Sequence, residues 1–367
     1  MQITQTNNYT PKTHYRRVDM LEFIPWNKKV LNETLEAHKQ GNLSVLDLEL
    51  SACCTKAHCI YCDSKPAVGR AQLGEFSWDQ LENFLIQCKS LGLQWIYTCG
   101  LGEPMEDTNF YRLIDFIGNQ NINLSMFTNG LFINDIEKAE LLKKAGVNIV
   151  LKLDTFDNQN FDIILGEQGL ANKIYQANNY LLEAGYGSKD GYYTDLAYSI
   201  VPTAYSFEGI PAVIDFAEKN GVFASIGELE SAGLMNDKVE HGSLDVSFAQ
   251  KEILKQKIDL YAKGKYKRPM CPAIIAGIHI DNTGNCIVDK LSGLNCKWFL
   301  LTEPDPKILG NIKNDSALEL FNRVLTYRRN ALTNNKEIIM SYAHQKFVFG
   351  GCGGNIFDVI NIAYDLL

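Results

Sequence analysis

Short, almost wholly apolar runs alternate along the chain with longer stretches whose apolar residues recur every three or four positions. The runs "LSVLDLELS" (43–51), "LQWIYTCG" (93–100), "LSMFTNG" (124–130), "VNIVLKLDTFD" (147–157), "TDLAYSIVP" (194–202) and "VFASIGELE" (222–230) predict strands buried on both faces. Between them, "WDQLENFLIQCKSLG", "NFYRLIDFIGNQ", "IEKAELLKKAG", "LANKIYQANNYLLEAG" and "GIPAVIDFAEKNG" predict helices, several closed by a glycine stop. An earlier helix, "VLNETLEAHKQGN", precedes the first strand. This strand–helix repetition specifies an α/β fold, with a barrel-like parallel sheet expected and a doubly wound sheet as its alternative.

The pattern changes near residue 265. Beyond it, "GIHIDNTGNCIVD" predicts a β-hairpin, with Asn282 to Gly284 supplying the turn, and "DSALELFNRVLTYRRNAL" predicts a helix. Three segments follow: an N-terminal extension (1–45), a core (46–265) and a smaller C-terminal unit (266–367).

Composition narrows the classes. With 367 residues, 46% of them hydrophobic, the chain can bury a large core. A formal net charge of -8, from 43 acids against 35 Lys and Arg, gives no general attraction to nucleic acid or anionic membrane. No signal-like start and no run of about 20 apolar residues is present, so a cytoplasmic protein is expected. In that compartment ten cysteines point to metal chemistry before disulfides.

The cysteines fall into two groups. "ELSACCTKAHCIYCDSKP" (49–66) follows the first strand and holds Cys53, Cys54, Cys59 and Cys62. Soft thiolates delivered by one loop suit iron or zinc. Cys271, Cys286, Cys296 and Cys352 could close a second site, again with zinc as the alternative to iron. Cys88 lies in a helical pattern, and Cys99 stands at the threshold of the glycine-rich turn "YTCGLGEP".

The first group, with that turn one strand–helix unit later, resembles the radical S-adenosylmethionine superfamily. The C-terminal cysteines with "GNC" and "LGNI" resemble its twitch or SPASM-like auxiliary domains. The family's usual Cys-x3-Cys-x2-Cys is longer here. Matching Cys59 and Cys62 leaves Cys54 as first ligand with one extra residue, or Cys53 with two; Cys54 makes the shorter insertion and stands five positions after the glutamate of "ELSACC".

The resemblance implies a partial TIM barrel, (β/α)6, and a [4Fe–4S] cluster on Cys54, Cys59 and Cys62. It further implies that the open iron binds S-adenosyl-L-methionine and that reductive cleavage yields a 5'-deoxyadenosyl radical. Gly100, Gly102 and Glu103 match the motif for the methionyl amino group. Thr128 and Asn129, with Tyr61, Asp154 and Ser199, match positions beside the cofactor or are turn-forming residues. A second, auxiliary [4Fe–4S] cluster is implied on Cys271, Cys286, Cys296 and Cys352.

The expected activity is oxidation of a carbon centre in a small biosynthetic metabolite, with a reducing electron-transfer protein as partner. The alternatives are a radical epimerase, with Cys99 as hydrogen donor, a peptide or natural-product crosslinking enzyme acting on a peptide substrate, and a noncatalytic iron–sulfur or zinc protein. His58 reads as an exposed or loop-ordering group, with cluster or substrate contact as the alternative; residue type alone gives His279 and His344 no catalytic assignment; Glu228 and Glu230 read as solvated or capping groups, with a substrate cation as the alternative.

Overall fold

The computed structural model describes residues 21–51, 54–62, 76–98, 102–227, 271–295, 306–345 and 356–366. Its centre is a nine-stranded sheet. Six neighbouring strands run parallel in chain order: β2 (Val45–Leu48), β3 (Trp95–Thr98), β4 (Asn123–Thr128), β5 (Val147–Lys152), β7 (Leu196–Ile200) and β8 (Phe223–Ile226). Two short strands, β1 (Glu22–Phe23) and β6 (Tyr193–Thr194), pair separately.

Helices supply the crossovers that parallel strands require. They are α2 (Trp78–Ser90), α3 (Phe110–Gln120), α4 (Ile136–Lys144), the pair α5 (Asn158–Leu165) and α6 (Leu170–Glu183), and α7 (Ile210–Asn220). Their starts are legible chemically: Ser77 and Gln80 form a capping box on α2, and Asp135 and Asp157 cap α4 and α5.

All six helices pack into one core with Leu46, Ile96, Leu124, Met126, Ile149, Leu151 and Leu196, the alternate residues of the parallel strands. The opposite face carries Val45, Trp95, Tyr97, Val150 and Ala197. Phe23, Trp26 and Val30 of the N-terminal region cover it; Val30 lies on α1 (Lys28–Lys39). The six crossover helices therefore line a single face, where those of a doubly wound sheet would divide between both.

The C-terminal strands continue this sheet. β9 (Ile278–Ile280) pairs parallel with β2; β10 (Asn285–Val288) and β11 (Lys307–Asn311) follow antiparallel. Gly277, at φ +83°, makes the join possible, because a Cβ there would lie 1.8 Å from the Val45 carbonyl oxygen. Three helices complete the C-terminal region: α8 (Ala317–Asn334), α9 (Lys336–Gln345) and α10 (Ile356–Asp365). Among the described residues no helix is long and apolar enough to cross a membrane.

A buried ionic group locks the register of β2 against β9. Asp47 opposes His279, whose Nδ1 lies 2.8 Å from Asp47 Oδ2, while Nε2 stands 3.6 Å from Glu49 Oε1. Burial opposes a charged imidazole, but Asp47 and Glu49 overcome it and hold the His279 pKa up at about 10. Tyr97 pairs with Asp47 from β3 and shares a core with Cys271; its hydroxyl donates to the Pro25 carbonyl.

Replacing His279 with Asn strands two buried carboxylates and is expected to cost about 3–5 kcal/mol in denaturant unfolding. The folded pKa lies above the ordinary 6.5, so the stabilisation is complete below that pH and is lost as pH rises through about 10. Urea midpoints across that window should fall in the wild type and stay flatter in H279N.

Candidate active site

The ends of β3, β4 and β5 meet the cysteine loop at one edge of the sheet. Glu103 follows β3 and caps the short 3-10 turn Pro104–Glu106, with its carboxylate turned inward and 2% exposed. It accepts from the Met105 amide at 3.3 Å, the Thr128 hydroxyl at 2.8 Å and the Asn129 amide at 2.7 Å. Burial pushes its pKa up to about 7 against the pull of those donors. A carboxylate offers about four acceptor positions, so three protein donors leave room for one more.

β4 delivers the residues that hold Glu103. "FTNG" leaves the strand in a tight turn in which Thr128 Oγ1 accepts from the Gly130 amide and Asn129 Oδ1 from the Leu131 amide. The other end of the Asn129 side chain donates to Cys54 Sγ at 3.6 Å. One residue therefore links the glutamate of the glycine-rich turn, through its backbone, to the first cysteine, through its side chain.

The cysteine loop is pinned at three places. Near its start the Thr55 amide donates to both carboxylate oxygens of Glu106, at 2.9 and 3.0 Å. In its middle the His58 and Ile60 amides donate to the Leu165 and Ile164 carbonyls that end α5. Gly166, at φ +75°, permits that docking, since a Cβ there would come within 2.4 Å of the His58 carbonyl oxygen. Near its end the Tyr61 hydroxyl donates to Asp154 Oδ2 at 2.9 Å.

Asp154 is fully buried and both its oxygens hold protein donors. Oδ1 accepts from the Val201 amide at 2.8 Å, while Oδ2 takes Tyr61 and the Lys152 ammonium. Lys152 also contacts the Tyr61 hydroxyl and lies 4.3 Å from that ring's centroid. Ser199 is half-buried on β7 directly opposite Lys152. Tyr61 and Asp154 thus organise the loop. Lys152, the cation between them, was not singled out in the sequence, although its polar side chain within the apolar run "VLKLD" is the signal.

Burial pushes the Cys54 thiol well above its ordinary range, and Glu103, Cys59 and Glu106 push it further. Burial also raises Cys59, with Lys152 acting in the opposite direction. Cys62 closes a turn on Cys59, its amide donating to the Cys59 carbonyl at 3.0 Å. All three cysteines are free thiols. Among the described residues no three His, Cys, Asp or Glu side chains stand close enough to form a finished metal site. The donor set nevertheless fits iron–sulfur chemistry: three soft thiols share one loop, and a bound cationic metal offsets the penalty that burial places on thiolates.

The C-terminal cysteines divide. Cys271 lies in the core that covers the sheet's second face with Tyr97 and Trp26, whereas Cys286 lies in the helix-side core. There it is close enough to Cys88 to raise that thiol's pKa, after burial, the larger cause. Cys53, Cys99, Gly100, Cys296 and Cys352, with Glu228 and Glu230, lie outside the described residues; Gly102 is half-buried beside Glu103.

A cysteine loop after the first parallel strand is joined by one asparagine to a buried glutamate after the second, and residues 48–195, which carry both, match the Radical SAM superfamily. The chain is an enzyme of that class. It is 22% identical to the mycofactocin maturase MftC of Mycobacterium ulcerans over 316 residues, covering 84% of this chain and 82% of that protein. Against MftC of Mycolicibacterium smegmatis it is 22% identical over 282 residues, covering 75% and 68%. Its fold is similar to that of Streptococcus suis SuiB bound to S-adenosylmethionine, with a TM-score of 0.56 and 18% identity over 81% of this chain and 70% of that one. SuiB has also been solved bound to its precursor peptide SuiA, at the same TM-score and 16% identity, covering 83% of this chain and 70% of that one.

Proposed function

We propose that the chain oxidises a carbon centre of a peptide substrate, using S-adenosylmethionine and a [4Fe–4S] cluster held by Cys54, Cys59 and Cys62. The observation that carries the reading is the link from Glu103 through Asn129 to Cys54. The cofactor pair, when bound, supplies one-electron cleavage of a carbon–sulfur bond and with it the capacity to abstract a hydrogen atom. Glu103 takes the methionyl ammonium, and Gly102 lets the backbone approach it. Thr128 and Asn129 keep that carboxylate oriented, and Asn129 steadies Cys54. Tyr61 and Asp154 fix the far end of the loop, and Ser199 faces the same crevice.

Six parallel strands with their crossover helices on one face support a (β/α)6 partial barrel. A small metabolite was the expectation from sequence. Two maturase relatives and a similar fold solved with a precursor peptide shift the proposal to a peptide. An auxiliary cluster on Cys271, Cys286, Cys296 and Cys352 stays part of the proposal; Cys271 and Cys286 are free thiols. Cys99 remains the proposed hydrogen donor only for an epimerising reaction. A reducing electron-transfer protein is the partner the chemistry requires.

Anaerobic incubation with S-adenosylmethionine, reductant and short peptides encoded near the gene tests this reading by mass spectrometry. A peptide product two hydrogens lighter supports it. Deuterium gain from solvent without mass loss would replace oxidation with epimerisation, and product from a small metabolite alone would remove the peptide.

A further inference from the structure

We propose that Glu106 is a positioning residue that latches the cysteine loop to the turn carrying Glu103. This rests on the reading of Cys54 as a cluster ligand. Glu106 is the last residue of the 3-10 turn that Glu103 caps, and the two are tied by the Glu106 amide donating to the Glu103 carbonyl at 3.0 Å. Both Glu106 oxygens receive the amide of Thr55, the residue next to Cys54, across 51 positions of sequence. The proposed cluster ligand and the proposed ammonium acceptor are thereby joined twice, through Asn129 on the inner side and through Glu106 on the outer side.

The geometry makes the role positional: a charged acceptor fixes the loop amide that directly follows Cys54. Thr55 is exposed, so at this residue the loop is held by a polar tether, whereas Ala57, two positions on, is held by burial.

Glutamine preserves an acceptor for the Thr55 amide and removes the charge; alanine removes both. After anaerobic reconstitution with iron and sulfide, followed by gel filtration, E106A is expected to retain severalfold less iron than the wild type. E106Q should retain the wild-type amount, with the midpoint potential of the reduced-cluster signal shifted upward. The metal-free proteins should melt together. Thr55→Pro, which deletes the donating amide, should reproduce E106A.

Full iron retention by E106A, or equal loss in E106A and E106Q, overturns the latch. A wild type that takes up no iron overturns the ligand reading beneath it, and iron retained by wild type but unchanged across all three variants overturns the latch alone.

Discussion

Serine in place of Cys54, Cys59 or Cys62, one at a time, is expected to abolish formation of 5'-deoxyadenosine, by at least about 100-fold, since even outer partners of a metal site are worth 10- to 100-fold. The physical reason is ligand softness. A serine hydroxyl holds its proton far more tightly than a thiol and offers iron a hard oxygen, so the loop loses a third of its donors. Burial sharpens the effect, because Cys54 and Cys59 sit where a charge is tolerated only if a metal compensates it. Cys53→Ser is expected to leave both iron and cleavage in place. Loss of iron in C53S, with retention in C54S, would transfer the ligand role to the neighbouring residue. Iron analysis beside chromatography of the nucleoside separates these outcomes.

Glu103→Ala is expected to weaken S-adenosylmethionine binding while leaving iron content unchanged. A charged hydrogen bond contributes about 1.5–3 kcal/mol, or roughly 10- to 150-fold in affinity. The loss also strands the Thr128 hydroxyl and the Asn129 amide, which lose their acceptor in a buried turn. Glu103 binds an ammonium only as carboxylate, and burial holds its pKa near 7. Affinity should therefore rise with pH up to about 7 and level off above it; below that value each pH unit costs about tenfold. For stability the sign is opposite. The folded pKa lies above the ordinary 4.5, so the cost of ionising this group begins above that pH and is complete beyond about 7. Calorimetric titration of the reconstituted enzyme at several pH values checks the first; a flat profile would remove Glu103 from the amino-group site.

The strand–helix alternation was legible because strands buried on both faces read as continuous apolar runs, and their connecting helices carry caps such as Ser77, Asp135 and Asp157. The glycine-rich turn and "FTNG" were legible as motifs, and the structure brings them together at Glu103. What sequence could not supply was contact between distant polar groups. Asp47 and His279 are 232 residues apart, and only the parallel pairing of β9 with β2 brings them together.

The same pairing makes the C-terminal hairpin a flank of the central sheet, a placement that local hairpin chemistry does not encode. Glu106 and Lys152 were missed for a related reason: an acid in a turn and a lysine at a strand end usually face solvent, and their partners, Thr55 and Asp154, are visible only in three dimensions. Cys286 shows the reverse. Its spacing suggests a ligand, and only the fold shows that it packs in the helix-side core near Cys88.

Electron paramagnetic resonance of the anaerobically reconstituted, dithionite-reduced wild type, recorded with and without S-adenosylmethionine, tests the central claim most directly. An open iron beside Glu103 and Asn129 predicts a reduced-cluster signal whose g values change when the cofactor is added, with 5'-deoxyadenosine accumulating in the same sample. A protein that carries one zinc per chain, gives no such signal and leaves S-adenosylmethionine intact would contradict the assignment of Cys54, Cys59 and Cys62.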